Sequence, residues 1–113
     1  MIMPMHELAI AQSVVDAVLD RLPENRVTRV VLQVGKLSGV EPDALRFCFE
    51  LAVADTALDG AELEIVEPAG LAWCETCRTE FGLSRPILLC ACGSADVRVI
   101  SGDQLLISSV KVA

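Results

Sequence analysis

Four of the five cysteines fall within the stretch C-E-T-C-R-T-E-F-G-L-S-R-P-I-L-L-C-A-C-G, from Cys74 to Gly93. Two thiolates close together in sequence chelate one ion, and a second pair farther along completes a tetrahedron around it. Cys74 and Cys77 form the first pair with the usual two-residue spacer, whereas Cys90 and Cys92 are separated by one residue, which asks for a tighter turn. Gly93 suits such a turn, because a residue without Cβ enters the left-handed backbone region at little cost. Four sulfurs leave no position for water, so the expected role is structural Zn²⁺. The residues between the pairs hold too little apolar side chain for a core of their own, and metal binding is expected to supply much of the folding energy. An iron site held by four thiolates uses the same ligands and stays open. A redox C-x-x-C would stand without a partner pair, and disulfides belong to oxidising compartments. The start M-I-M-P-M-H-E-L lacks the cationic region and cleavage site of a secretory signal, so a cytoplasmic location is expected. Cys48, between Phe47 and Phe49, reads as an inert thiol against the core rather than a fifth ligand.

The second place for chemistry is the single histidine, His6, followed by Glu7. A lone surface histidine usually ligates nothing. If the mature chain began at Met5, however, its amine, the His6 amide nitrogen and the imidazole Nδ1 would close fused chelate rings. Nitrogen-rich tetragonal sites of this kind suit Ni²⁺ or Cu²⁺ and exchange their ion more readily than a closed thiolate cage.

Composition excludes several classes. A chain of 113 residues makes one compact domain with a modest core and room for a small lobe. The hydrophobic fraction is 53%, yet no apolar run approaches the ~18 residues of a membrane span. A net charge of −7 disfavours nucleic acid, whose phosphates need clustered Lys and Arg. In and just after the cysteine stretch, Arg78, Arg85 and Arg98 are matched by Glu75, Glu80 and Asp96. An enzyme is not expected: the thiolate site has no open position, and the one histidine has no triad partner in view.

The elements that must position these groups follow from periodicity. Leu8, Ala11, Val15, Val18 and Leu22 recur at helical steps and predict an amphipathic helix from His6 to Leu22, stopped by Pro23. Alternation over Arg26 to Val34, with Thr28, Val30, Leu32 and Val34 on one face, predicts a strand ending at Gly35. Pro42 opens a second helix running to about Ala54, with Leu45, Cys48, Phe49 and Ala52 at helical spacing. Glu62 to Glu67 predicts a strand with Leu63 and Ile65 inward; Val97 to Ile100 and Leu105 to Val112 read as strands around the Ser101-Gly102 turn. If the last strand returns to the main sheet, the cysteine lobe is an insertion between two strands. The expected fold is thus α+β: a small mixed sheet with two helices, and an inserted four-cysteine zinc-binding lobe.

Several of these pieces carry a resemblance. Met5-His6-Glu7-Leu8-Ala9 is one, and Val34-Gly35-x-x-Ser38 leading to Pro42 and Phe47-x-Phe49 is another. With C-E-T-C, C-A-C-G-S and the Ser101-Gly102-Asp103 turn, they occur in the order found in the HypA/HybF family of hydrogenase maturation nickel metallochaperones, which the chain resembles from Met5 to Val112. The resemblance implies a nickel-binding domain over residues 1–68 plus 101–113 and a zinc-binding domain over residues 69–100. It implies His6 as the principal nickel ligand with Glu7 beside it, and Glu41 as a supplementary ligand or a group supporting the site. Cys74, Cys77, Cys90 and Cys92 would hold structural zinc. The implied function is transfer of Ni²⁺ to [NiFe]-hydrogenase, with the maturation GTPase HypB and the hydrogenase large subunit as partners. Urease accessory proteins are further candidates, and the chain would be a monomer or weak homodimer. Two departures stand out: the one-residue spacer at Cys90 and Cys92, and Met1-Ile2-Met3-Pro4 ahead of the motif, which leave the Met5 nitrogen in a peptide bond unless the mature chain starts there. The reading from another class is a zinc-ribbon protein-interaction module without a nickel site.

Overall fold

The computed structural model describes the backbone of residues 5–113 and the side chains of residues 7–113. Two helices and six strands follow in the order α1 (Met5–Arg21), β1 (Val27–Val34), α2 (Pro42–Val53), β2 (Glu62–Val66), β3 (Gly70–Cys74), β4 (Thr79–Leu83), β5 (Val97–Ser101) and β6 (Leu105–Val112). They build an α+β architecture with two separate three-stranded sheets, ordered β2-β1-β6 and β4-β3-β5. No helix among the described residues is long and apolar enough to cross a membrane.

The buried face of α1 carries Ala11, Val14, Val15 and Val18. This is turned slightly from the expected stripe: Val14 is inside, while Leu8 is 42% exposed. The shift matters because Glu7 lies one helical turn before Ala11, in phase with the buried stripe. Leu22 N–H still reaches the Val18 carbonyl before Pro23 ends the run. In α2 the buried residues Leu45, Phe49 and Val53 recur every fourth position, and Cys48 is half-buried beside them. Extended Glu41 precedes α2, and its carboxylate accepts from the Asp43 N–H at 3.4 Å, while Pro42 takes the first turn, where no N–H is needed.

In β1, Val30, Leu32 and Val34 are buried as alternation predicts. Thr28, expected on that face, is exposed, and Val27 is buried in its place. Thr28 Oγ1 instead donates to the Lys111 carbonyl, and Ser108 Oγ donates to that of Val31, so the hydroxyls line the β1–β6 side. Both strands flanking β1 are those that bracket the cysteine stretch in sequence, so the lobe is indeed inserted within one sheet.

The lobe has more regular structure than its sequence predicts. β3 and β4 pair antiparallel from Gly70↔Leu83 to Cys74↔Thr79, and β3 pairs with β5 with a register irregularity between Leu71 and Ala72. The Val97 and Leu105 strands lie on either side of the Ser101–Gly102 turn as expected but join different sheets: β5 joins β3, and β6 returns to β1. Gly102 separates them with φ +103.

The chain divides into two compact units. One comprises residues 1–32, 40–65 and 107–113; the other comprises residues 33–39 and 66–106. Residues 33–39 and 101–106 fall in the second unit because their backbones bond within it. Gly35 N–H donates to Gln104 O at 2.7 Å, Lys36 N–H to Pro68 O at 3.0 Å, and Leu37 N–H to Gly102 O at 2.6 Å. A Cβ on Gly35 would strike the Gly102 carbonyl, and one on Gly102 would come within 2.5 Å of Gly70 Cα. Three backbones cross there with no space for side chains.

Candidate functional site: a thiol cluster and an acidic helix start

Each cysteine of the cluster is placed by a backbone turn. Cys74 ends β3, and Arg78 N–H closes back on the Cys74 carbonyl at 2.8 Å, which holds Cys77 in the intervening turn. Arg78 adopts φ 55 to make that turn. On the other side, Cys90 N–H donates to Ser94 O and Gly93 N–H to Cys90 O, both at 2.9 Å. Gly93 has φ +92 and is the residue that lets the one-residue spacer close, as its lack of Cβ predicts. The two turns are linked by a hydroxyl pair that sequence reasoning did not single out, Thr76 Oγ1 and Ser94 Oγ, 2.7 Å apart.

The four sulfurs all lie within 4.8 Å of one another. Cys74 and Cys92 Sγ are 3.7 Å apart, and Cys77 and Cys90 Sγ 3.6 Å. A tetrahedron with Zn–S bonds of ~2.3 Å has an edge of ~3.8 Å, which these two pairs match, so the four sulfurs are close enough together to hold one such ion. Cys74 and Cys90 are buried and Cys77 and Cys92 exposed, so the cage is closed on one side by protein. Cys48 is not among the grouped thiols.

Without metal the thiols differ sharply. The Cys77 N–H aimed at Cys74 Sγ at 3.5 Å lowers the Cys74 thiol from 9.0 to about 6, against the opposing effect of burial. At Cys90 the backbone hydrogen bond from Cys92 acts downward, but burial and the neighbouring Cys92, Cys77 and Cys74 thiols override it and push the group up to about 12. A thiolate at Cys74 next to protonated Cys90 is the arrangement of a site that gives up protons when it takes a cation.

At the other candidate site, His6 belongs to the first turn of α1 by its backbone, while its side chain lies outside the described residues. Glu7 is 4% exposed. Its Oε2 accepts the Glu41 N–H at 2.9 Å, and its Oε1 is buried with no hydrogen-bond partner among the described residues. The structure therefore brings Glu7 together with Glu41, but through the Glu41 main chain; the Glu41 carboxylate is engaged in capping α2. A buried carboxylate oxygen without a donor is costly and offers a ready contact for a cation or an imidazolium. The signal for this burial was present in sequence, since Glu7 shares the phase of Ala11, Val14 and Val18.

From residue 5 to residue 112 the chain matches the protein family described as hydrogenase/urease nickel incorporation, metallochaperone, hypA. The hydrogenase maturation factor HypA of a Nostoc species is 44% identical over 108 residues, covering 96% of both chains. That of Geotalea uraniireducens is 46% identical over 109 residues, covering 96% of this chain and 99% of the relative. In fold, the chain is similar to the solution structure of the Ni metallochaperone HypA from Helicobacter pylori, with TM-score 0.68 at 20% identity over 94% of this chain and 96% of that one. A second solution structure, of a HypA protein, gives TM-score 0.68 at 21% identity over 96% and 97%. With a family match spanning nearly every residue and relatives 44% and 46% identical over almost their whole length, the chain belongs to the HypA family of nickel metallochaperones.

Proposed function

We propose that this protein carries Ni²⁺ to [NiFe]-hydrogenase during maturation, receiving and releasing the ion at the start of α1. His6 supplies the principal nitrogen ligand, Glu7 lies beside it, and Glu41 supports Glu7 from the α2 cap. In a helix the first four N–H groups lack intrahelical acceptors, so the amide nitrogens near His6 are not tied into the helix and are free to join the coordination. Should the mature chain begin at Met5, the terminal amine completes a nitrogen-rich set suited to Ni²⁺. Cys74, Cys77, Cys90 and Cys92 hold structural zinc and fix the lobe formed by residues 69–100, while residues 1–68 plus 101–113 carry the nickel. Cytoplasmic maturation GTPase HypB and the hydrogenase large subunit are the partners this reading requires, and urease accessory proteins are further candidates. The protein performs no reaction of its own.

The observation that carries the reading is Oε1 of Glu7, buried and without a hydrogen-bond partner among the described residues, one residue from the sole histidine. A carrier must bind and also release, and a site with one imidazole, backbone nitrogens and one carboxylate exchanges ligands stepwise more readily than a cage of four thiolates. Nickel calorimetry on zinc-loaded protein tests it. His6→Ala is expected to lose stoichiometric tight Ni²⁺ binding while helix content and zinc stay unchanged. Retention of a tight one-to-one nickel site in that variant would remove His6 from the assignment.

A further inference from the structure

The zinc lobe has an apolar face that metal binding alone does not explain. β4 is the outer strand of the order β4-β3-β5, with no strand on its far side among the described residues. Past Leu83 the chain leaves the ladder through Ser84-Arg85-Pro86 and returns to Cys90 through Ile87, Leu88 and Leu89, which are 58%, 44% and 53% exposed. Phe81, Leu83, Ile87, Leu89 and Cys90 are among the residues that line an open trough of about 440 Å³. Arg85 is the one charged residue in its lining, and it has no carboxylate partner among the described residues, whereas Arg98 of the same unit pairs with Glu75 at 3.6 Å.

Three consecutive large apolar residues held outward are costly on a free surface and mark contact with another molecule. Small-molecule sites enclose their ligand and aim several polar groups into it; this trough is open and offers one cation. A single Arg in a chain of net charge −7 does not serve a polyphosphate backbone. An open strand edge beside apolar side chains that recur at alternate positions is, by contrast, the setting in which an extended peptide adds as a strand and fills pockets with every second side chain.

We propose that the zinc lobe docks an extended segment of a partner protein along the outer edge of β4. Alternate apolar side chains of that segment lie in the Phe81–Leu83–Ile87–Leu89 trough, and an acidic side chain faces Arg85. The single cation sets the sign of the partner. The open trough favours a chain passing through over a captured terminus. Because Cys90 is part of the lining, the thiol cluster shapes the dock as well as the lobe. The proposal needs the folded lobe and is independent of nickel at His6.

The test uses ¹⁵N-labelled, zinc-loaded full chain titrated with a capped heptapeptide alternating leucine and glutamate, and with its leucine–lysine counterpart. Amide shifts are expected to concentrate from Phe81 to Leu89, with the glutamate peptide bound about fivefold tighter. Arg85→Glu should invert that preference and Leu89→Asp should abolish binding, with zinc stoichiometry unchanged in both. No shifts in this segment, equal affinity for the two peptides, or an unaltered preference in Arg85→Glu would overturn it. Concentration-dependent shifts at the same amides without peptide would also overturn it, by assigning the trough to a second copy of the chain. Nickel calorimetry on Leu89→Asp, expected to match the parent, keeps failure here distinct from failure at His6.

Discussion

The Glu41 main-chain N–H donates to Oε2 of Glu7 at 2.9 Å, tying the first turn of α1 to the cap of α2 across 34 residues of sequence. The second oxygen of that carboxylate is buried and has no hydrogen-bond partner among the described residues. Glu7→Gln keeps an acceptor for Glu41 and removes the charge; it should fold normally and weaken nickel binding. Glu7→Ala leaves the Glu41 N–H without its acceptor and should cost about 1–2 kcal/mol in urea unfolding. Equal stability of Glu7→Ala and parent would show that the contact contributes nothing to the fold.

The thiol cluster predicts an unusual pH profile for metal-free, reduced protein. Cys74 is lowered from 9.0 to about 6, so the stability it contributes is full above 9 and is lost as pH falls toward 6. Cys90 is raised from 9.0 to about 12, so its contribution is full below 9 and is lost as pH rises toward 12. Urea midpoints should therefore climb from pH 6 to pH 9, and Cys74→Ser should flatten that limb. A climb of the same slope in Cys74→Ser would place its origin elsewhere. In zinc-loaded protein the direction is set by proton competition at the ligands, and zinc should be released progressively as pH falls.

Cysteine substitutions should separate by position. Cys74→Ser or Cys90→Ser should reduce zinc to well below one equivalent and broaden the amide signals of residues 70–101. Cys48→Ala, half-buried on α2 and outside the cluster, should retain one zinc and lose no more than about 1 kcal/mol. Metal analysis by mass spectrometry reads both; zinc loss in Cys48→Ala would contradict the four-ligand set. Iron in place of zinc in protein isolated under reducing conditions would change the metal and leave the ligands as assigned.

The glycine crossing makes a sharper stability prediction. Gly102 combines φ +103 with a Cβ position 2.5 Å from Gly70 Cα, so Gly102→Ala should cost several kcal/mol or prevent folding. Gly39, also at positive φ (+80) but with nothing within 4 Å, isolates the backbone effect, and Gly39→Ala should cost about 1 kcal/mol. Thermal unfolding of the two variants gives the comparison, and similar losses would mean that the crossing yields to a methyl group.

Nickel affinity should depend on where the chain starts. Protein beginning at Met5 is expected to bind Ni²⁺ more tightly than protein beginning at Met1, because the first offers an amine where the second has a peptide nitrogen. Calorimetry on the two forms decides, and equal affinity would exclude the amine from the site.

Sequence and structure agree where the signal is local. The helical stripes, the Pro42 start, the β1 alternation and the two cysteine pairs are all written within a few residues of where they act. β3 and β4 were missed because G-L-A-W-C and T-E-F-G-L are short, contain glycine and owe their extended form to each other across a turn. The partner of β5 is not legible in the sequence, because strand pairing depends on distant chain. Glu7 reads as a surface acid at a helix start. Its phase with Ala11 and Val18 is the sequence signal that it lies inside, and the turn of the α1 stripe toward Val14 bears that out.

The lobe is entered from β2 and left into β6, the two strands flanking β1. Those neighbours stand ~10 Å apart across one intervening strand, a gap that a handful of residues can span. Excision of the whole metal-bearing cassette would thus shorten a connection without removing a rung from the ladder, and a cassette held in this way can be traded, lengthened or retuned while the remainder keeps its architecture.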